Sequence, residues 1–283
     1  MIESNVTIAG LHVYPVKSCA SVDLDEVLLI ETGLEFDRAW MLVDDHGESV
    51  SQRELPRLAL VHCDLRHSEL VLRAPGMLAL HLALDIVDAA VRVKIWNDEV
   101  AAYDMGALAA QWFSDFLRQP LRLVRFDPEQ KRLASRAWTG AIEAEAAFSD
   151  EFPLLVLSQA SLDALNERLA YRDVAPVTMQ RFRPNVVLTG LDAHGEDFLD
   201  EIAFDTPEGA VRLKLVKPCT RCPIPNVDPQ TGESGTEPGD TLATYRSDSR
   251  VDGAVTFGMN AVIVEGIERA LRVGQIGRTS LRF

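Results

Sequence analysis

Cys219 and Cys222 form a C-x-x-C pair within Lys217-Pro-Cys-Thr-Arg-Cys-Pro-Ile-Pro-Asn-Val-Asp-Pro-Gln-Thr-Gly232, the densest cluster of reactive and turn-forming residues in the chain. Three mechanisms use this spacing. A structural zinc site needs four ligands and normally a second pair, but Cys19 and Cys63 are widely separated and no histidine pair stands at ligand spacing. A thioredoxin-like redox pair wants its first cysteine at a helix N-terminus, and Pro223, Pro225 and Pro229 prevent a helix from running on. The third is a single thiolate on a redox metal with the other cysteine as neighbour. A proline-framed loop suits it, because a ligand must be held with little rotamer freedom. Arg221, beside Cys222, would favour the thiolate. Two buried thiols in a turn remain the plain alternative, although elaborate loops are commonly functional.

Two further polar clusters interrupt apolar strands. In Tyr14-Pro15-Val16-Lys17-Ser18-Cys19 a strand ends in a lysine and a hydroxyl, and Arg181-Phe182-Arg183-Pro184-Asn185 leads into Val186-Val187-Leu188. Arginines on a proline-fixed backbone suit fork recognition of a phosphate or a planar heterocycle. Asp37-Arg38 before Ala39-Trp40 is of the same kind. Each of these, taken singly, also reads as a surface ion pair.

The elements that must position these groups are mostly strands. Apolar or alternating runs predict strands over Val6–Val16, Val22–Ile30, Ala39–Val43, Glu48–Ser51, Leu58–Leu65, Glu69–Arg73 and Val91–Trp96 in the first part of the chain. In the second part they predict Asn185–Leu188, Glu201–Phe204, Val211–Val216, Ala261–Val264 and Leu271–Val273. Helices are expected at Ala107–Leu117, with Leu108, Trp112, Phe116 and Leu117 on one side, and at Gln159–Leu169, capped by Ser158 or Ser161. Pro120 and the polar stretch after it suggest a boundary, and Leu121–Arg136, locally basic, reads as a solvated linker. The expectation is a mainly β, barrel-like protein with few helices in two domains, 1–122 and 123–283.

Composition restricts the function classes. The chain has 283 residues, 43 acidic against 28 basic, for a net charge of -15, with 47% hydrophobic and 25% charged residues. That is an ordinary globular composition, not a disordered one. Four cysteines exclude a disulfide-dense scaffold. The acidic balance argues against nucleic acid or an anionic membrane as partner. Met1 to Gly10 carries Glu3 and no basic leader, and no apolar run approaches the ~20 residues of a membrane helix. A cytoplasmic protein with reduced thiols is the expectation.

Taken together and in this order, the motifs resemble the MOSC family, the domain found at the C-terminus of molybdenum cofactor sulfurases. They are similar in particular to its two-domain members with an N-terminal MOSC-associated β-barrel, the amidoxime-reducing components and their bacterial relatives. The N-terminal motifs are Tyr-Pro-Val-Lys-Ser at 14–18 and Asp-Arg-Ala-Trp at 37–40. The C-terminal ones are the Leu-Ser-Gln-Ala-Ser run from 157, Arg-Phe-Arg-Pro-Asn at 181–185, Cys-Thr-Arg-Cys at 219–222, Val-Asp-Pro-Gln-Thr-Gly at 227–232 and Phe257-Gly258.

The resemblance implies a molybdenum cofactor (molybdopterin), with Cys222 as metal ligand and catalytic centre. It implies cofactor contacts from Lys17, Ser18, Arg38, Asp150, Arg183, Asn185, Thr220 and Arg221. Asn260 falls at a further contact position that can be tyrosine in relatives. A family-level association with pyridoxal phosphate binding comes with the same resemblance. The cofactor is planar and anionic, so an acidic protein must concentrate cations locally, and Lys17, Arg38, Arg183 and Arg221 would supply them. The implied reaction removes oxygen from a small N-hydroxylated substrate. Electrons are expected from a separate ferredoxin- or flavodoxin-type protein, because no iron–sulfur cysteine cluster follows the second domain. Pro-Ile-Pro-Asn after Cys222, where characterised reductases more typically carry a Thr-Thr pair before the valine, sets the substrate question apart. A non-catalytic carrier of sulfur or cofactor, with a persulfide on Cys222, is the alternative, and a structural zinc module ranks last.

Overall fold

The computed structural model describes residues 5–282. Residues 1–4, including Glu3, on which the expectation of no leader partly rests, and Phe283 lie outside the described residues. The chain is mainly β and forms two domains. Seven strands close into a barrel, running Leu154–Ser158, Val186–Thr189, Asn5–Val13, Ile276–Leu281, Leu199–Thr206, Gly209–Thr220 and Ala254–Glu265, with the last paired back to the first. Closure removes the free edges a β-sheet would otherwise expose. Leu154–Ser158 and Val186–Thr189 run parallel, connected through the helix Gln159–Ala170. Ser158 caps that helix, accepting the Ser161 N–H at 3.1 Å.

The first strand shows how sequence sets register. Val6 and Ile8 point into the barrel, and so do Leu11 and Val13. Even positions give way to odd ones because the pairing to Val186–Thr189 shifts between Ile8 and Gly10. A bulge re-phases the alternation, so that both halves of the strand bury their apolar faces. This strand belongs by sequence to the N-terminal part and in space to the C-terminal barrel.

The remaining N-terminal segments build a four-stranded antiparallel sheet in the order Trp40–Val43, Arg122–Phe126, Asp98–Asp104, Ala90–Ile95. A three-stranded sheet of His62–Leu65, Glu69–Arg73 and Leu80–Ala83 and the helix Ala107–Leu117 share its core. The helix has the expected bounds, and Trp112, Phe116 and Leu117 are buried as expected, with Ala109 and Phe113 beside them, but Leu108 is 70% exposed.

Several expected elements differ. Glu48–Ser51 forms only isolated bridges, from Ser49 to Val43 and from Glu48 to Lys94. Pro56–Leu60 is a 3-10 turn, since Pro56 suits a helical first turn, and only His62–Leu65 of that run is a strand. Leu121–Arg136 is not a solvated linker: Arg122–Phe126 is a strand and Arg132 is buried. Its basic side chains find partners that sequence does not show. Two short helices, Arg136–Thr139 and Gly239–Ala243, add to the two expected ones. No helix of the described residues is long and apolar enough to cross a membrane.

Phe257 and Gly258 lie within the strand Ala254–Glu265, not ahead of it. Gly258 has φ +82°, and a Cβ there would stand 2.9 Å from the Val156 carbonyl oxygen. Both the left-handed backbone and the contact with a neighbouring strand exclude a side chain. Gly258→Ala is therefore expected to cost about 1–3 kcal/mol, seen as a lower urea midpoint with an unchanged slope.

Candidate functional site

The long strand Gly209–Thr220 carries Lys217, Pro218, Cys219 and Thr220 at its end, so the C-x-x-C pair straddles a strand terminus. Pro218 has no N–H for the ladder, and pairing to Ala254–Glu265 slips between Leu215 and Lys217 and again between Pro218 and Thr220. These bulges turn the strand end toward the N-terminal domain. The Ile224–Asn226 turn, rich in proline, then folds the chain back.

Four other segments meet this strand end. Residues 14–19 and 37–40 are locked by backbone bonds from Lys17 N to the Trp40 oxygen at 2.7 Å and from Arg38 N to the Tyr14 oxygen at 2.9 Å. Asp37 accepts the Tyr14 N–H at 2.8 Å. Phe148 N donates to the Arg38 oxygen, bringing in 148–150. Asn185 ties in the barrel: its Oδ1 accepts from Leu155 N and from Arg38, both at 3.1 Å, and its Nδ2 donates to the His12 oxygen at 3.2 Å.

One cavity is lined by all the residues that the resemblance implies as cofactor contacts: Lys17, Ser18, Arg38, Asp150, Arg183, Asn185, Thr220, Arg221 and Cys222, together with Asn260. Three of them, Ser18, Arg38 and Arg183, have positive φ of 69°, 48° and 59°. Left-handed backbone at non-glycine residues costs energy and concentrates where geometry serves a site.

The four cations differ in what they have left to offer. Lys17 is buried, with its ammonium donating to the Phe148 oxygen at 2.8 Å and to Asp150 at 2.5 Å. Burial pushes its pKa down, and Asp150 partly restores it. Arg38 pairs with Asp37 and donates to the Arg183 oxygen at 3.0 Å. Arg183 donates to the Cys19 oxygen at 2.6 Å but leaves its other terminal nitrogen buried and unpartnered. Burial and the neighbouring Arg38 lower the Arg183 pKa. Arg221 donates to the Phe182 oxygen and leaves its Nε buried and unpartnered. Buried donors without partners are costly and rare, and Arg183 and Arg221 are the cavity's two cations that keep such a donor.

Within the C-x-x-C segment, Arg221 has Cys219 as its hydrogen-bond partner. Its guanidinium points back to Cys219 Sγ at 3.0 Å, because alternate residues at a strand end face the same way. Burial raises the Cys219 pKa and Arg221 opposes that rise. Cys222 is half-buried, lines the cavity, and makes no hydrogen bond among the described residues. The described residues contain no cluster of three His, Cys, Asp or Glu side chains able to hold a metal by themselves. An anionic ligand that brings its own sulfur donors needs only one protein thiolate and unpaired guanidinium N–H groups. The residues present fit such a group.

Sequence reading missed two supports. Tyr14 lies under both the Arg38 and Arg183 guanidiniums, 4.3 and 4.2 Å from the ring centroid. Arg132 binds Asp98 at 2.7 Å and the carbonyls of Ala147, Ser149 and Asp150, fixing the loop that carries Asp150. Tyr14 stands inside a motif already singled out, whereas nothing in the local sequence marks Arg132. Asp228 is a turn residue, accepting from Gln230 N and pairing with Arg181.

Burial alone would raise the Asp150 carboxyl, but Lys17, with Arg53 and Arg38, holds it well below the usual carboxylate range. A depressed pKa in the fold contributes stability above the ordinary range, lost as pH falls. Asp150→Asn is expected to cost about 1–2 kcal/mol at neutral pH, less than a fully buried pair because the Asp150 side chain is 54% exposed. It should also flatten the loss of stability between about pH 5 and 3. Urea titrations across that range test this, and parallel curves for the two proteins would show that the pair carries no linkage.

Comparison with known proteins agrees with this geometry. Residues 5–120 match the MOSC N-terminal beta barrel domain and residues 143–276 match the MOSC domain. Mitochondrial amidoxime-reducing component 1 of Mus musculus is 36% identical over 85% of this chain and 71% of its own length. Component 1 of Homo sapiens is 37% identical and component 2 of Homo sapiens 36%, each over 85% of this chain and 72% of its own length.

Proposed function

The chain belongs to the MOSC family that includes the mitochondrial amidoxime-reducing components, and from that premise we propose that it is a molybdenum-cofactor enzyme reducing N-hydroxylated compounds. The observation that supports this most is a cavity lined by two half-buried thiols, of which Cys222 makes no hydrogen bond among the described residues, beside two guanidiniums that each keep one buried nitrogen without a partner. Cys222 would ligate the metal. Arg183 and Arg221 would bind the anionic and heterocyclic parts, with Ser18, Thr220 and Asn185 along the same wall. Lys17, Arg38 and Asp150 would act mainly by holding that wall in place, since their charges already pair with each other or with Asp37. When bound, the cofactor supplies the two-electron couple and the oxygen acceptor.

The reaction breaks the N–O bond. Two electrons and two protons enter, and the amine or amidine leaves with one water. A separate electron-transfer protein of ferredoxin or flavodoxin type would deliver the electrons. Cys219, whose pKa burial raises, accepts a hydrogen bond from Arg221 and would orient that guanidinium. Pyridoxal phosphate fits less well, because the Lys17 amine it would need is committed to Phe148 and Asp150.

Metal and pterin analysis of protein from a cofactor-competent host should find about one molybdenum per chain, falling at least about tenfold in Cys222→Ser. Full retention in that variant would sink the ligand assignment. The loaded protein should reduce an N-hydroxyamidine with an artificial donor. The second reading, a carrier with a persulfide on Cys222, is favoured by the accessibility and freedom of that thiol. Mass spectrometry would then show a sulfane adduct lost on reduction, with no turnover despite full molybdenum.

A further inference from the structure

Outside Cys222 the cavity widens into a vestibule of about 490 Å3, bounded by Arg53, Trp96, Asn97, Lys217 and Asn260. Trp96 and Asn97 form the two-residue tip of the hairpin between Ala90–Ile95 and Asp98–Asp104, since Ile95 pairs directly with Asp98. Trp96 has φ 55°. The first position of such a turn, when left-handed, usually belongs to glycine, and a bulky aromatic residue there is a genuine outlier. The indole does not relieve this strain by burying itself, because Trp96 is 53% exposed. Beneath it the Arg53 guanidinium lies 4.8 Å from the ring centroid and reaches within 3.8 Å of Asp150. Arg53 thereby ties the indole to the wall of the inner cavity.

The vestibule's carboxylates are paired, Asp98 with Arg132 at 2.7 Å, Glu151 with Lys217 at 2.5 Å and Asp150 with Lys17, whereas Arg221 faces it without a carboxylate partner. No unpaired carboxylate there would draw in a cation. What the wall presents is a flat, strained, solvent-facing indole held by a guanidinium.

We propose that Trp96, braced by Arg53, is the specificity-determining platform of this vestibule, selecting substrates whose N-hydroxylated group is attached to an uncharged planar ring that stacks on the indole. This rests on the reductase reading above. Stacking of a ring on an aromatic side chain is substantial and depends on shape more than on hydrogen-bond pattern. The strain at Trp96 is then the cost of placing an aromatic face where turn geometry prefers glycine.

The test compares N-hydroxybenzamidine with N-hydroxyacetamidine on molybdenum-loaded full-length protein. In Trp96→Gly the aromatic-to-aliphatic ratio of kcat/KM should fall about tenfold, through the KM of the aromatic substrate. Trp96→Phe should restore most of it. Trp96→Gly should also melt at a higher temperature than the wild type, since glycine relieves the left-handed strain, whereas a structural indole would give a lower one. An unchanged ratio, or equal loss for both substrates, overturns the inference. Binding is read separately, as saturable quenching of tryptophan emission by N-hydroxybenzamidine with no electron donor present. That quenching should disappear in Trp96→Phe. Quenching through Trp96 without turnover would overturn the reductase reading and keep the platform. Turnover with quenching that ignores Trp96 would overturn the platform alone.

Discussion

Two guanidiniums lie over one buried phenol ring. Arg38 and Arg183 both pack on Tyr14, at 4.3 and 4.2 Å, and most of the site is arranged around the consequence. Like charges this close, out of water, repel and lose hydration. The structure answers with Asp37 on Arg38, with carbonyls on both arginines, and with the electron-rich Tyr14 ring that both pack against. Those compensations come from three stretches of chain, 14–19, 37–40 and 181–185, so satisfying the arginines also joins the N-terminal segments to the barrel. What the protein leaves uncompensated is one terminal nitrogen of Arg183 and the Nε of Arg221. A chain of net charge -15 thus concentrates several cations in one small cavity.

Barrel closure makes this arrangement possible. The parallel pairing of Leu154–Ser158 with Val186–Thr189 brings Asn185 beside Leu155, and its amide completes the backbone pairing there while reaching Arg38. Bulges in Gly209–Thr220 aim the C-x-x-C segment across the same opening. The site lies where irregular backbone from both domains converges, with regular strands underneath to hold it. The inner cavity holds the guanidinium nitrogens left without partners, and the outer vestibule carries the exposed Trp96 indole.

Much of this was legible in sequence because it depends on local chemistry. Strand alternation, the two main helices, and the polar motifs that break strands each reflect short-range constraints. Lys17, Arg38, Arg183 and Cys222 stood out because charge, proline and sulfur interrupt apolar runs. Pairing was not legible. That Lys17 is answered by Asp150, or that Arg221 turns to Cys219 and not to Cys222, depends on contacts across 133 residues in the first case and on side-chain direction at a bulged strand end in the second. Arg132 looked like part of a linker because its partners, Asp98 and three carbonyls, are distant or backbone groups.

Sequence by itself determined the composition class, the mainly β character, the order of the motifs and the place of the C-x-x-C pair, both of whose thiols line the cavity. Tertiary structure decided which charges remain available, which strand completes which domain, and what lines the entrance. The first strand is the clearest case: Asn5–Val13 reads as a half-buried strand in isolation, but only the closed ring of hydrogen bonds assigns it to the C-terminal barrel. Periodicity follows from the geometry of one strand, whereas partnership and free charge follow from burial and distance between segments remote in the chain.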